Sequence, residues 1–188
     1  MKVIIIGAGL SGLSTAIALR KYLQPTTNLT IKIYEKESKR DDPNEVREEQ
    51  RRRKLGAGLG LQSNGLKVLE GLDPKLKERV YASGFPCTHF KWKTAGDVLL
   101  AREYVDVLPI SRPLLVDCLA EGLDVKDVVE YRTVSKVIAR EGEKPVIKFQ
   151  DGSPDETADL VIGADGVGSI VRQGLFDDSE EKYKPEYL

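Results

Sequence analysis

Three glycines in "GAGLSG", Gly7, Gly9 and Gly12, stand between a short apolar run and a stretch with helical spacing. Glycine at these positions serves phosphate chemistry. Gly7 permits a tight turn, Gly9 lets the main chain approach a pyrophosphate, and Gly12 lets a helix pack closely on a strand. Ala8, Leu10 and Ser11 complete a loop whose backbone opens a helix, and a helix N-terminus offers N–H groups and partial positive charge to an anion. Glu35, followed by Lys36, stands about twenty residues further on, where a carboxylate accepts hydrogen bonds from ribose hydroxyls and disfavours a 2′-phosphate. The chemistry implied is dinucleotide binding. The spacing by itself does not separate FAD from NAD.

A second constellation lies far along the chain, in "LVIGADGVGS", Leu160 to Ser169. Read alone, the stretch is a strand-to-helix connection in which Gly166 permits close backbone approach, Asp165 offers a hydrogen-bond acceptor, and Ser169 can cap a following helix. Arg172 can tie the turn or meet a phosphate. His89 is the sole histidine, so a Ser-His-Asp triad would have to use it, and it stands in a predicted strand with no nucleophile motif beside it.

The elements that must position these residues follow from periodicity. Val3 to Ile6 is a continuous apolar run, the pattern of a strand buried on both faces of a parallel sheet. Leu10 to Leu23 recurs at helical spacing and ends near Gln24-Pro25, and "LTIKIYE" alternates as a second strand, so the chain opens on a βαβ unit. Lys36 to Lys54 mixes acids and bases and reads as a solvated, charged loop. "GAGLGLQSNGLKVLEGL" reads as a glycine-rich turn, holding Gly58, Leu59 and Gly60, before a helix that Ser63 or Asn64 could cap. "THFKWK" and "DVLLARE" read as two strands around Ala95-Gly96, carrying the aromatics Trp92 and Tyr104, and Arg112 to Leu123 as a helix. Three β segments follow, around 128–131, 134–140 and 146–150, then a strand at Leu160–Gly163 and a helix from Ser169 to Phe176.

Composition narrows the function classes. The 188 residues are 40% hydrophobic and 31% charged, with net charge -1, which suits one globular core and gives no electrostatic case for nucleic acid. Cys87 and Cys118 are the only cysteines and lack metal-ligand spacing, so no disulfide framework or metal site is expected, and a cytoplasmic, reducing setting is preferred. No apolar run reaches membrane-spanning length.

Four stretches together resemble the single-component FAD-dependent aromatic monooxygenases typified by salicylate and p-hydroxybenzoate hydroxylases. "VIIIGAGLSGLSTAIAL" is similar to that family's FAD fingerprint, and "GAGLGLQSNGLKVLEGL" to the segment passing beside its flavin ring. "SRPLLVDCLAEGL" is similar to the helix start whose arginine, here Arg112, reaches the FAD. "ADLVIGADGVGSIVRQGLF" matches the family's Asp-Gly motif, with Asp165, Gly166, Ser169 and Arg172 in register. Where the family often has an acid two positions after the arginine, this chain has Leu114. Arginines also occur near the flavin in some branches, but the charge run blurs the register and none of Arg52, Arg53 and Lys54 is assigned.

The resemblance implies an α/β fold of Rossmann-like, glutathione reductase-type architecture, with a parallel sheet and a three-stranded β-meander between Arg112 and Asp159. It implies FAD as cofactor and NAD(P)H as co-substrate. The family reaction reduces FAD, adds O₂ to give a C4a-hydroperoxyflavin, and hydroxylates a small, usually aromatic, molecule. It also implies one FAD-binding domain over residues 1–188, with 86–106 as the start of a substrate-domain sheet left with exposed edges. The chain matches only about the N-terminal half of a family member, without the later Gly-Asp motif, so by itself it is not expected to hydroxylate productively. Dehydrogenation or epoxidation on the same fold, and a non-catalytic nucleotide-binding module or half-enzyme needing a separate chain, stand as alternatives.

Overall fold

A computed structural model describes residues 1–23, 28–36, 58–123 and 128–176. The charged loop from 37 to 54, with Arg52, Arg53 and Lys54, and the segment at Gln24-Pro25 lie outside the described residues. The chain divides into two compact units, Met1–Asp42 with Leu123–Leu188, and Pro43–Gly122.

The first unit opens with β1 (Lys2–Ile6), α1 (Leu10–Tyr22) and β2 (Thr30–Glu35), the expected βαβ unit. Val3, Ile4 and Ile5 are fully buried, as an apolar run needs when both faces of a sheet are covered. Arg20 and Lys21 lie in the last turn of α1, where cations complement the helix dipole.

The second unit follows with β3 (Gly58–Gln62), α2 (Ser63–Leu72), α3 (Pro74–Ser83), β4 (Cys87–Lys93), β5 (Leu99–Ser111) and α4 (Arg112–Glu121). Strands β3 and β4 flank β5 in an antiparallel sheet. The stretch expected as a glycine-rich turn is therefore a strand: Leu59 and Leu61 pair with Ile110 and Leu108, which are buried. Helix α2 takes Gln62 as its N-cap without a side-chain cap, so neither Ser63 nor Asn64 caps it. The Asn64 amide oxygen accepts from the Gly65 N–H at 2.8 Å instead. Helix α3 was not anticipated, although Asp73-Pro74 signals its start: the Asp73 carboxylate accepts from the Lys75 N–H at 3.0 Å and Pro74 stands in the first turn.

Returning to the first unit, the chain forms β6 (Val129–Tyr131), β7 (Val134–Ile138), β8 (Val146–Phe149), β9 (Glu156–Thr157), β10 (Leu160–Gly163) and α5 (Ile170–Phe176). The main sheet runs β10-β1-β2-β6 with every pair parallel, and β7-β8-β9 form the antiparallel meander. Its membership departs from the expected three segments. The one near 128–131 joins the parallel sheet at β2, with Ile33 opposite Val129, and the two-residue β9 takes its place. Ile4, Ile6 and Tyr34 pack with Val134, Val137, Ile147, Phe149, Ala158 and Val171, so the meander covers one face of the sheet. Alternation sends Val3, Ile5 and Ile33 to the other face, where α1 contacts β1 and buries Leu13, Ala16 and Ile17.

Candidate functional site

Because β10, β1 and β2 are parallel neighbours, their carboxyl ends share one edge of the sheet. That edge, where connections leave a central strand in opposite directions, is where open α/β sheets take ligands. Gly7 follows β1 with φ +103°, and its N–H donates to the Tyr34 carbonyl at 2.7 Å. A Cβ on Gly7 would stand 2.4 Å from the Ala164 carbonyl oxygen, so both backbone conformation and space demand glycine. A Cβ on Gly12 would stand 1.9 Å from the Gly7 carbonyl oxygen and 3.4 Å from Ala164 Cβ. The fingerprint loop is therefore pressed between its own helix and the residues that follow β10.

Ala8 directs its N–H to Glu35 Oε2 at 2.6 Å, which places the carboxylate at the end of β2 directly beside the loop. Gly9 is the N-cap of α1, its carbonyl accepting from the Leu13 N–H at 3.0 Å. No side chain caps this helix and no acid lies in its first turn. The N–H groups of Leu10, Ser11 and Gly12 thus have no intrahelical acceptor, an arrangement suited to an anion. Ser11 and Lys36 are exposed, and Leu10 is half-buried.

The Asp-Gly turn is built from hydrogen bonds into α5. Asp165 Oδ1 accepts from the Ser169 hydroxyl at 2.6 Å, and Oδ2 from the Ile170 and Val171 N–H groups at 2.7 and 3.5 Å. Ser169 caps the helix as expected, accepting from the Arg172 N–H at 3.1 Å, and the Arg172 guanidinium donates to the Val167 carbonyl. Gly166 has φ +83° and nothing within 4 Å of where a Cβ would stand, so the turn offers bare backbone. The close seat of Ala164 against Gly7 was not foreseen; its sequence signal is a small residue directly before Asp-Gly.

Beneath the loop, the residue that holds Gly7 is itself anchored. The Tyr34 hydroxyl donates to Glu156 Oε1, while Lys2 and Lys32 reach the same carboxylate at 2.8 and 3.0 Å. Partial burial works to raise the Glu156 pKa, but the hydrogen bonds from Lys2, Tyr34 and Lys32 outweigh it and hold it at about 2. Burial first, then Glu156, pushes the Tyr34 hydroxyl up to about 12. A depressed carboxylate stabilises the fold above its ordinary value of 4.5, and that contribution is lost as pH falls toward about 2.

Within the second unit, β3 carries Gly58, Leu59 and Gly60 opposite Ser111, Ile110 and Pro109. Arg112, the first residue of α4, follows the very residue paired with Gly58, so strand pairing brings these assignments together. Ser111 caps α4 by accepting from the Leu114 N–H at 3.4 Å, and the Leu114 side chain is exposed. His89 packs edge-on against Tyr104 at 5.6 Å and hydrogen-bonds Thr88 at 3.0 Å within the β4–β5 hairpin. Among the described residues no helix is long and apolar enough to cross a membrane.

A family model described as FAD binding domain matches residues 1–184. The chain is 31% identical over 193 residues to 6-hydroxynicotinate 3-monooxygenase of Pseudomonas fluorescens, covering 97% of this chain and 45% of that protein. It is 28% identical over 197 residues to the FAD-dependent monooxygenase pigN of Monascus ruber, covering 97% of this chain and 41% of that protein. The solved structure of 2-methyl-3-hydroxypyridine-5-carboxylic acid oxygenase is similar at a TM-score of 0.66 and 27% identity, over 93% of this chain and 42% of that one. The chain spans less than half the length of each of these relatives.

Proposed function

Since the chain belongs to the FAD-binding domain family, we propose that it forms the flavin-holding portion of an NAD(P)H-dependent monooxygenase that hydroxylates a small aromatic molecule. The observation that carries this reading is the meeting of the Gly7–Gly12 loop, Glu35 and the Asp165–Gly166 turn at the carboxyl ends of three neighbouring parallel strands. The relatives support it, being named as oxygenases, one of them for 6-hydroxynicotinate.

When bound, FAD supplies the passage of electrons from NAD(P)H to O₂. This chain's residues bind and orient it. The N–H groups opening α1 would face the pyrophosphate, and Glu35 the adenosine ribose. The Gly166 backbone would approach the ribityl chain, and Arg112 would give a phosphate charge-assisted hydrogen bonds. Gly58, Leu59 and Gly60 would flank the ring, and Lys36 borders the ribose site. The β4–β5 hairpin would begin the substrate-domain sheet: Trp92, Leu100 and Tyr104 are 48%, 66% and 69% exposed, a surface that asks for covering polypeptide. The rest of the substrate wall would come from sequence corresponding to the remaining half of the relatives.

Glu35→Gln tests the assignment of the ribose contact, because the amide still offers Ala8 an acceptor. FAD affinity should fall about tenfold, or about 1.4 kcal/mol, while affinity for FMN, which lacks the adenosine, stays unchanged. Equal losses for FAD and FMN, or no loss for either, would contradict the assignment.

A further inference from the structure

Helix α5 lies against β7 and β10 and, through the turn that precedes it, bears on the fingerprint loop. Its contact with the meander is set by an absent side chain. A Cβ on Gly174 would stand 2.2 Å from the Val137 carbonyl oxygen and 3.1 Å from the Val137 carbonyl carbon, both backbone atoms of β7 that cannot rotate aside. On the same helix Val171 packs over Gly163, whose Cβ would stand 2.9 Å from Val171 Cβ. The helix is therefore lodged against β7 and β10 at a separation that tolerates no added methyl group.

The N-terminus of α5 is tied to the Asp-Gly turn by side-chain hydrogen bonds: three into the Asp165 carboxylate, one from Arg172 N–H to the Ser169 hydroxyl, and one from the Arg172 guanidinium to the Val167 carbonyl. The turn in turn meets the loop, since Ala164 N–H donates to the Ile6 carbonyl at 2.8 Å and the Ala164 carbonyl oxygen fills the space where Gly7 would carry a side chain. Helix height, turn and loop thus form one continuous series of contacts from the meander to the fingerprint glycines.

We propose that Gly174 is a positioning residue for the dinucleotide loop, acting through α5 and the Asp165 carboxylate to set where Ala164 stands against Gly7. Asp165 serves this series by capping, with the Gly166 backbone left to face the ligand. The ligand arm of the test rests on the FAD reading above; the amide arm does not.

The test compares Gly174→Ala with Val137→Ala, which removes two buried methyl groups from the same residue of β7 but leaves its carbonyl in place. Hydrogen exchange is measured at the Gly7 and Ala164 N–H groups, with the Gly84 N–H, bonded to the Val80 carbonyl at 3.0 Å in the second unit, as reference. In Gly174→Ala, exchange at Gly7 and Ala164 should speed about tenfold relative to Gly84, and the Kd for FAD should rise about tenfold. Val137→Ala, matched for loss of melting temperature, should leave both readouts near wild type. Unchanged exchange at Gly7 and Ala164 in Gly174→Ala, or an equal change in Val137→Ala, overturns the proposal. If Gly174→Ala does not fold, Gly163→Ala carries the same comparison, since the added methyl meets the Val171 side chain on the same helix. A wild-type chain that binds no FAD defeats the flavin reading alone, and the exchange data still decide the positioning role.

Discussion

Gly12→Ala should lower stability by about 3 kcal/mol and weaken FAD binding at least about a hundredfold. The added Cβ would lie 1.9 Å from the Gly7 carbonyl oxygen, so the first turn of α1 and the loop before it must separate. Neither partner can yield cheaply. Gly7 is held by its N–H to the Tyr34 carbonyl on one side and by the Ala164 carbonyl oxygen on the other. Helix α1 is buried through Leu13, Ala16 and Ile17. For a chain of this size the melting temperature should drop by roughly 6–12 °C. Gly71→Ala is the control: it also sits in a helix, nothing lies within 4 Å of its added Cβ, and it should gain up to about 1 kcal/mol. Thermal melts of both variants check the prediction, and a Gly12→Ala protein as stable as wild type would refute the packing described.

The second large effect is expected at Asp165. Alanine there removes the acceptor for the Ser169 hydroxyl and for the Ile170 and Val171 N–H groups, at a site where Ser169 is buried. Loss of a helix cap together with an unsatisfied buried hydroxyl should cost about 2–3 kcal/mol. FAD affinity should fall about tenfold, because Asp165 Cα lies 3.1 Å from the Gly7 Cβ position and the turn bears on the loop. Asp165→Asn keeps one acceptor oxygen, and the Ser169 hydroxyl can rotate to meet it, so this variant should recover roughly half of the lost stability. Denaturant unfolding of the three proteins separates these outcomes. Equal losses for Ala and Asn would mean that the negative charge, rather than the capping geometry, is what α5 requires.

Much of the first unit was legible because its signals are local. The apolar run Val3 to Ile6, the glycine spacing and Glu35 each declare strand, turn and carboxylate within a few residues, and the resulting parallel βαβ unit stands as expected. Pairings between distant segments were less so. Val129–Tyr131 and Glu156–Thr157 differ in which sheet they join: Val129 pairs with Ile33, about a hundred residues away, while Glu156 and Thr157 pair with Ile147 and Val146, and neither choice is written in the segment's own alternation. Strand β5 runs on to Ser111 past Pro109, a residue that argues against a central strand. It is accommodated opposite Gly60, and its carbonyl accepts from the Phe85 N–H at 2.8 Å. At the candidate site, motif and spacing pointed to Gly7, Gly12, Glu35 and Asp165. The tight seats at Ala164 and Gly174 depend on distances that no motif encodes.

FAD, in the proposed function, sits at the edge formed by β10, β1 and β2. Titration of the purified chain with FAD, following flavin fluorescence and the melting temperature together, tests it most directly. Saturable binding is expected, and at about a hundred times Kd a gain of about 2.7 kcal/mol, which raises the melting temperature by roughly 5–10 °C. A chain that melts cooperatively yet shows neither saturation nor any rise in melting temperature with FAD would contradict it.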